Sequence, residues 1–378
     1  MYLDRAYRPR RRRRGGFPFW PFLLVVIIGI ILYEQQPEWL VPQETQPTAV
    51  PTRGALSYLV DARRLLNAGA YNEALANYEE VLRLEPQNVD ALVAQANVYM
   101  IFTDVETAND YATRAIEIDP DHVDGMVILA RTLDWLGDYD SAINYALDAL
   151  EIVPENPEAL AVLGEIYADV GNWTVSENYL NQALDLDPTH TLALRNKAYL
   201  YEFQGEYETA IQLYEQAVAS APQRFDLYIE LGRQYRVGLF DYEKANESYR
   251  KAVEVYESAV TLDALGFGLY NTGDHLQAVR VLRQAYELDD DYGPGLVHLG
   301  MALYARRNYE DAAPMLEKGI NILGEDARIE HIYTLGLAHI YKEPTECDRA
   351  EPWLRRALDI ASDSLPAIEG MNLCDLSY

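Results

Sequence analysis

Pro86, Pro120, Pro154, Pro188 and Pro222 stand 34 residues apart, and the residues around them repeat in register. Before each runs an alanine-rich amphipathic stretch, such as Glu73 to Leu82. A fixed period of this length means a row of small supersecondary units, each of which buries its apolar face against the next. It excludes a single central core. Each unit opens on a helix-forming segment with a small residue at its middle: Ala62, Ala96, Ala130, Gly164, Ala198, Gly232, Gly266, Gly300 and Gly336. A turn follows, often a glycine and then an aromatic two residues later, as in Gly69 and Tyr71 or Gly171 and Trp173. The second segment carries two small residues seven apart, such as Ala210 and Ala217. Small side chains let two helices approach, aromatics fill the space beside them, and proline stops the second helix.

This grammar resembles the tetratricopeptide repeat family from Ala55 to residue 364. The resemblance implies an all-α, right-handed superhelical solenoid of about nine helix pairs. Their expected limits are 55–88, 89–122, 123–156, 157–190, 191–224, 225–258, 259–292, 293–326 and 329–364. The later units depart from the pattern: one extra residue falls around Gly238-Leu239-Phe240. Asp290, Gly324 and Ser362 replace the closing proline, and about two extra residues fall in Lys342–Glu346. Residues 365–374 read as a short terminal helix that caps the last unit, within a tail of 365–378. Run antiparallel to the helix before it, that cap returns Cys374 to the turn holding Cys347, which predicts a disulfide.

Ahead of the array, residues 1–16 hold seven arginines against Asp4, although the whole chain carries a formal charge of −29. Phe17 to Tyr33 follow as 17 residues without a charge. Trp20 and Tyr33 near its ends and the arginines before it predict a transmembrane signal-anchor helix over 17–33. The amino terminus is then cytoplasmic and the array outside, in a single-pass protein of the cell membrane with the lipid bilayer as a partner. A cleaved signal peptide is the other reading, but no small-residue cleavage signature follows. Pro37, Pro42, Pro47 and Pro51 make residues 34–54 an extended linker.

Nothing in the chain reads as chemistry. The six histidines have no metal-ligand spacing, and there is no phosphate-cradling glycine loop or nucleophile elbow. Asp119 to Gly125 looks like a calcium loop only superficially, since it lacks the closing glutamate and coincides with a repeat junction. No enzyme, cofactor or metal is expected. The acidic body repels phosphate backbones, so nucleic acid is not an expected partner.

In the family that the chain resembles, ligands lie on the concave face, lined by residues just after the small positions and one turn away. Carried over, this register gives Arg63, Asn97, Arg131, Trp135, Arg195, Tyr199, Phe203, Arg233, Arg236, Phe267, Tyr270 and Tyr304, with Glu165, Met301, Tyr333, Leu337 and Tyr341 beside them. Arginines at one end and aromatics at the other suit an extended peptide with an acidic or carboxyl-terminal part. The alternative is that the arginines pair with acidic neighbours such as Asp124, Asp134 or Glu165. The resemblance, together with the expected anchor over 17–33, implies a membrane-anchored scaffold that binds proteins or peptides through its groove. Other readings are a regulatory or assembly subunit of an envelope enzyme complex, and a cytosol-facing tethered adaptor.

Overall fold

A computed structural model describes residues 19–35 and 53–377. The chain divides into two units, residues 1–53 and 54–378. In the first, α1 (Trp20–Gln35) is described; in the second, nine helix pairs and a final helix follow in order. The pairs are α2 (Ala55–Asn67) with α3 (Tyr71–Leu84), α4 (Val89–Ile101) with α5 (Val105–Ile118), and α6 (Val123–Trp135) with α7 (Tyr139–Ile152). Next come α8 (Pro157–Asp169) with α9 (Trp173–Leu186), α10 (Thr191–Phe203) with α11 (Tyr207–Ser220), and α12 (Phe225–Val237) with α13 (Tyr242–Val255). The last three are α14 (Ala259–Asn271) with α15 (His275–Leu288), α16 (Gly293–Ala305) with α17 (Tyr309–Leu323), and α18 (Ile329–Tyr341) with α19 (Cys347–Ile360). The final helix, α20, spans Leu365–Leu373.

The small mid-helix positions explain the pairing. A Cβ on Gly164 would sit 2.5 Å from Leu180 Cγ, and Leu282, Leu316 and Leu354 press in the same way on the glycines at 266, 300 and 336. In the unit with an extra residue, Tyr249 takes this place against Gly232. Each second helix thus drives one side chain into the gap left on the first. Side-chain caps start many of the helices. Asn88, Asp104, Asp138, Asn156 and Asp274 each accept a backbone N–H three residues on, satisfying a donor that a helix start leaves open. His122 and His190 do the same through Nδ1.

Within each of the first eight units the chain reverses through a residue of positive φ. Glycine fills that place at 69, 137, 171, 205 and 273, whereas Thr103, Phe240 and Arg307 occupy it elsewhere. The extra residue near Gly238 is offset at once. The connection from α13 to α14 is Tyr256–Ser258, one residue shorter than the Glu85–Asn88 connection, and the period is restored by Gly273.

The row of pairs does not stay open. Tyr71, at the start of α3, donates its hydroxyl to the Gln223 carbonyl at 2.7 Å, across 152 residues of sequence. Its ring meets Phe225, Tyr256 and Phe102 edge-on at 5.5, 5.3 and 5.6 Å. Phe102 and Tyr256 stack at 5.6 Å, and the Tyr256 hydroxyl donates to Asn72 Oδ1 at 3.1 Å. Where Gly69 would carry a Cβ, the Gln223 carbonyl oxygen is 3.5 Å away. One turn of the solenoid therefore closes where its first two units meet the start and end of the sixth. The axis of that turn is narrow: a cavity of about 230 Å³ touches Leu66, Asn97, Arg131, Glu158, Leu192 and Arg224, from α2 round to the loop before α12. The groove that the resemblance implies is thus narrowed over the first five units. Bulky aromatics at the meeting points make the contact, and nothing in a 34-residue period announces it.

At the other end α20 packs Ala367, Gly370 and Met371 beneath Leu354 and Leu337. Cys347 and Cys374 form a disulfide, with Cα atoms 5.7 Å apart.

The transmembrane expectation is corrected. Among the described residues no helix is long and apolar enough to cross a membrane. The apolar helix α1 begins only at Trp20 and has 16 residues. At about 1.5 Å per residue it reaches about 24 Å, short of a hydrocarbon core of about 30 Å. The single-pass assignment falls with it, and neither a lipid partner nor a placement of the array outside the cytoplasm is shown. Residues 1–16 and most of the 34–54 linker lie outside the described residues.

Candidate functional site

The mid-helix arginines of the first helices are already engaged. Glu165, 1% exposed, accepts from Arg131 Nε at 3.1 Å, Trp135 Nε1 at 3.0 Å, Arg195 NH1 at 2.7 Å and Asn196 Nδ2 at 3.2 Å. Burial alone would push this carboxyl up. Arg131 and Arg195 outweigh it and hold Glu165 below the ordinary carboxylate range. Arg195 also forks onto Glu230 at 2.8 and 3.2 Å and lies over the rings of Trp135 and Tyr199. Arg233 forks onto Glu202 at 2.6 and 3.0 Å, and Arg63 reaches Asp90 at 3.0 Å on the surface. Asn97 donates to the Val93 carbonyl of its own helix and lines the narrow axis.

Next to this network Asp134 is 2% exposed, no nitrogen donor reaches either of its oxygens, and the Asp169 carboxyl lies beside it. Burial, with the charges of Glu165 and Asp169, pushes its pKa up to about 9. Tyr199 donates to Asp169 at 2.9 Å and meets Phe203 edge-on at 4.7 Å.

The later units differ. Arg236 lies over the Phe267 ring at 5.2 Å, and Phe267 stacks on His298 at 4.0 Å. His298 in turn holds Asp263 at 2.7 Å. Beyond them Tyr304, Tyr309 and Tyr341 form a triangle with ring centres 5.4 to 6.3 Å apart. Tyr270, Met301, Tyr304 and Tyr333 are half-buried, and Tyr341 is exposed. The candidate residues thus fall into two groups that the structure keeps apart: a charged group from Arg131 to Arg233, closed upon itself, and an aromatic group from Phe267 to Tyr341. The sequence register missed Glu202 and Glu230 as the arginines' partners. A signal existed for Glu230, because Arg131–Glu165, Arg195–Glu230 and Asp263–His298 all join residues 34 or 35 apart. Opposite charges one period apart in one register mark pairs between adjacent units.

Models of the tetratricopeptide repeat match residues 59–123, 103–166, 157–223 and 296–325, together more than half of the chain. The chain is a tetratricopeptide-repeat protein. The unmatched stretch between residues 223 and 296 holds the inserted residue and the shortened connection of Tyr256–Ser258. Among solved structures, this repeat protein is similar to a chain of the APC/C hetero-tetramer Cut9-Hcn1, with a TM-score of 0.63 and 18% identity. That likeness covers 84% of this chain and 62% of the other, so the chain spans less than two thirds of its length. PilF of Pseudomonas aeruginosa aligns with a TM-score of 0.50 and 19% identity over 57% of this chain and 96% of its own. YrrB, described as a repeat protein with an unusual peptide-binding site, aligns at 0.40 with 22% identity over 51% and 97%. Identities this low show the fold alone. No curated protein matches the sequence.

Proposed function

We propose that this repeat protein is an interaction scaffold whose partner, a protein or an extended peptide, docks on the concave face of the last three units. The observation that carries this reading is the division of the groove. Arg131, Arg195 and Arg233 are each bound to a glutamate of an adjacent unit, while Tyr270, Met301, Tyr304, Tyr333 and Tyr341 leave part of their surface to solvent. An acidic peptide in the first half would have to displace glutamates that already satisfy the guanidinium forks. Apolar side chains meeting the tyrosines displace only water and gain aromatic contact, the usual source of anchor residues at interfaces. The likeness to a chain of the Cut9-Hcn1 hetero-tetramer is compatible, since that chain is solved within an assembly.

Replacing Tyr304 and Tyr341 with alanine tests this. A photo-crosslinking residue at Tyr333 should capture a discrete partner from the native host, and the double substitution should abolish that capture with helicity unchanged. Equal capture by the variant, or capture only from a crosslinker at Arg131, would remove the later units as the docking face.

A further inference from the structure

Where the closed turn steps down to the units that follow, the seam leaves a cavity of about 480 Å³. One wall is the end of α4 and its turn, Ile101 to Thr103; the other is the start of α12, α14 and the end of α15. The two walls are more than a hundred residues apart in sequence, so the cavity exists only because the turn closes. Phe102, Phe225, Ile229, Tyr256 and Val260 make it apolar inside. Its volume lies within the range of about 300–1,000 Å³ typical of ligand pockets.

The charges around it have one sign. Asp226, Glu230, Glu257 and Asp289 line it, and no lysine, arginine or histidine does. Asp226 and Glu230 are engaged by Arg224 and Arg195. Glu257 and Asp289 have no cationic partner among the described residues, and both are exposed at the rim.

We propose that this seam cavity binds a peptide that inserts a bulky apolar side chain and sets a basic residue against Glu257 and Asp289. The site is separate from the aromatic face of the last units and does not depend on it.

Methyl NMR of the full chain with two synthetic hexapeptides tests the proposal: Gly-Lys-Phe-Trp-Arg-Gly, and the same peptide with both basic residues changed to glutamate. The basic peptide should shift the methyl signals of Ile101, Ile229 and Val260. It should bind about tenfold more tightly than its acidic counterpart, the size expected of two partly exposed charge contacts. The exposed double substitution E257K and D289K should reverse that order without altering the rest of the spectrum. Equal binding of both peptides, or no shift at these methyls at millimolar peptide, overturns the proposal. Shifts confined to methyls of α16 to α19 overturn it too, while leaving the proposed docking face intact.

Discussion

Four donors converge on the Glu165 carboxylate, while Asp134, 31 residues earlier on the neighbouring first helix, receives none. The same low-dielectric interior therefore favours opposite states at the two sites: Glu165 stays ionised between guanidiniums, and Asp134 holds its proton up to about pH 9. A carboxyl whose folded pKa is raised contributes stability that is fully present below its unfolded pKa of about 3.9. That contribution is lost as pH rises towards 9. Asp134→Asn keeps a neutral side chain of the same shape and removes this dependence. Chemical denaturation should find the variant close to the native protein near pH 4. Its advantage should widen as pH rises to 9, by at most about 1.4 kcal/mol per pH unit. A constant difference across that range would show that Asp134 is ionised in the fold.

At the scale of the helices, most of the architecture was legible in the sequence, because one period encodes one unit. The glycine at 164 and Leu180, the turn glycines and the closing prolines each state a local contact that a single unit can satisfy. The arginine pairs were only partly legible: the register gave their positions and Glu165 as one acidic partner, while Glu202 and Glu230 on adjacent units were missed. Misread altogether was α1, where an uncharged run of residues looked long enough to span a bilayer while the helix itself starts at Trp20 and ends at Gln35. The terminal helix α20 offers an element-level test. It has nine residues, too few to persist alone, so it depends on its contacts with Leu337 and Leu354 and on the bridge 27 residues back to Cys347. Loop-closure arithmetic puts that bridge at about 3.5 kcal/mol. Because repeat arrays open unit by unit, Cys374→Ser should raise amide hydrogen exchange in α19 and α20 and leave α4 to α9 unchanged. Unchanged exchange in α20 would mean that apolar packing alone holds the cap.

For the molecule as a whole, closure of the first turn changes what kind of object the array is. An open solenoid has contacts only between neighbouring units, so it bends easily and unfolds from its ends. Here Tyr71, Phe102, Phe225 and Tyr256 join the second and third helices of the array to its sixth pair, tying an end to the middle. The superhelical pitch that brings them together is the sum of small rotations between units, which no single period displays. Phe102 and Tyr256 are only half-buried and lie on opposite sides of the seam, so replacing both with alanine should weaken the junction without emptying either unit's own core. The double variant should keep its helicity while its radius of gyration rises in solution scattering. Protection against hydrogen exchange should fall in α2 and α3, which become a free end. A scattering profile that matches the native protein, with α2 and α3 still protected, would mean that Tyr71 and its bond to the Gln223 carbonyl hold the turn shut without help from the other rings. If the profile does shift, the seam cavity must go with it, since both of its walls would no longer face each other, and the basic hexapeptide should lose its site in the same variant.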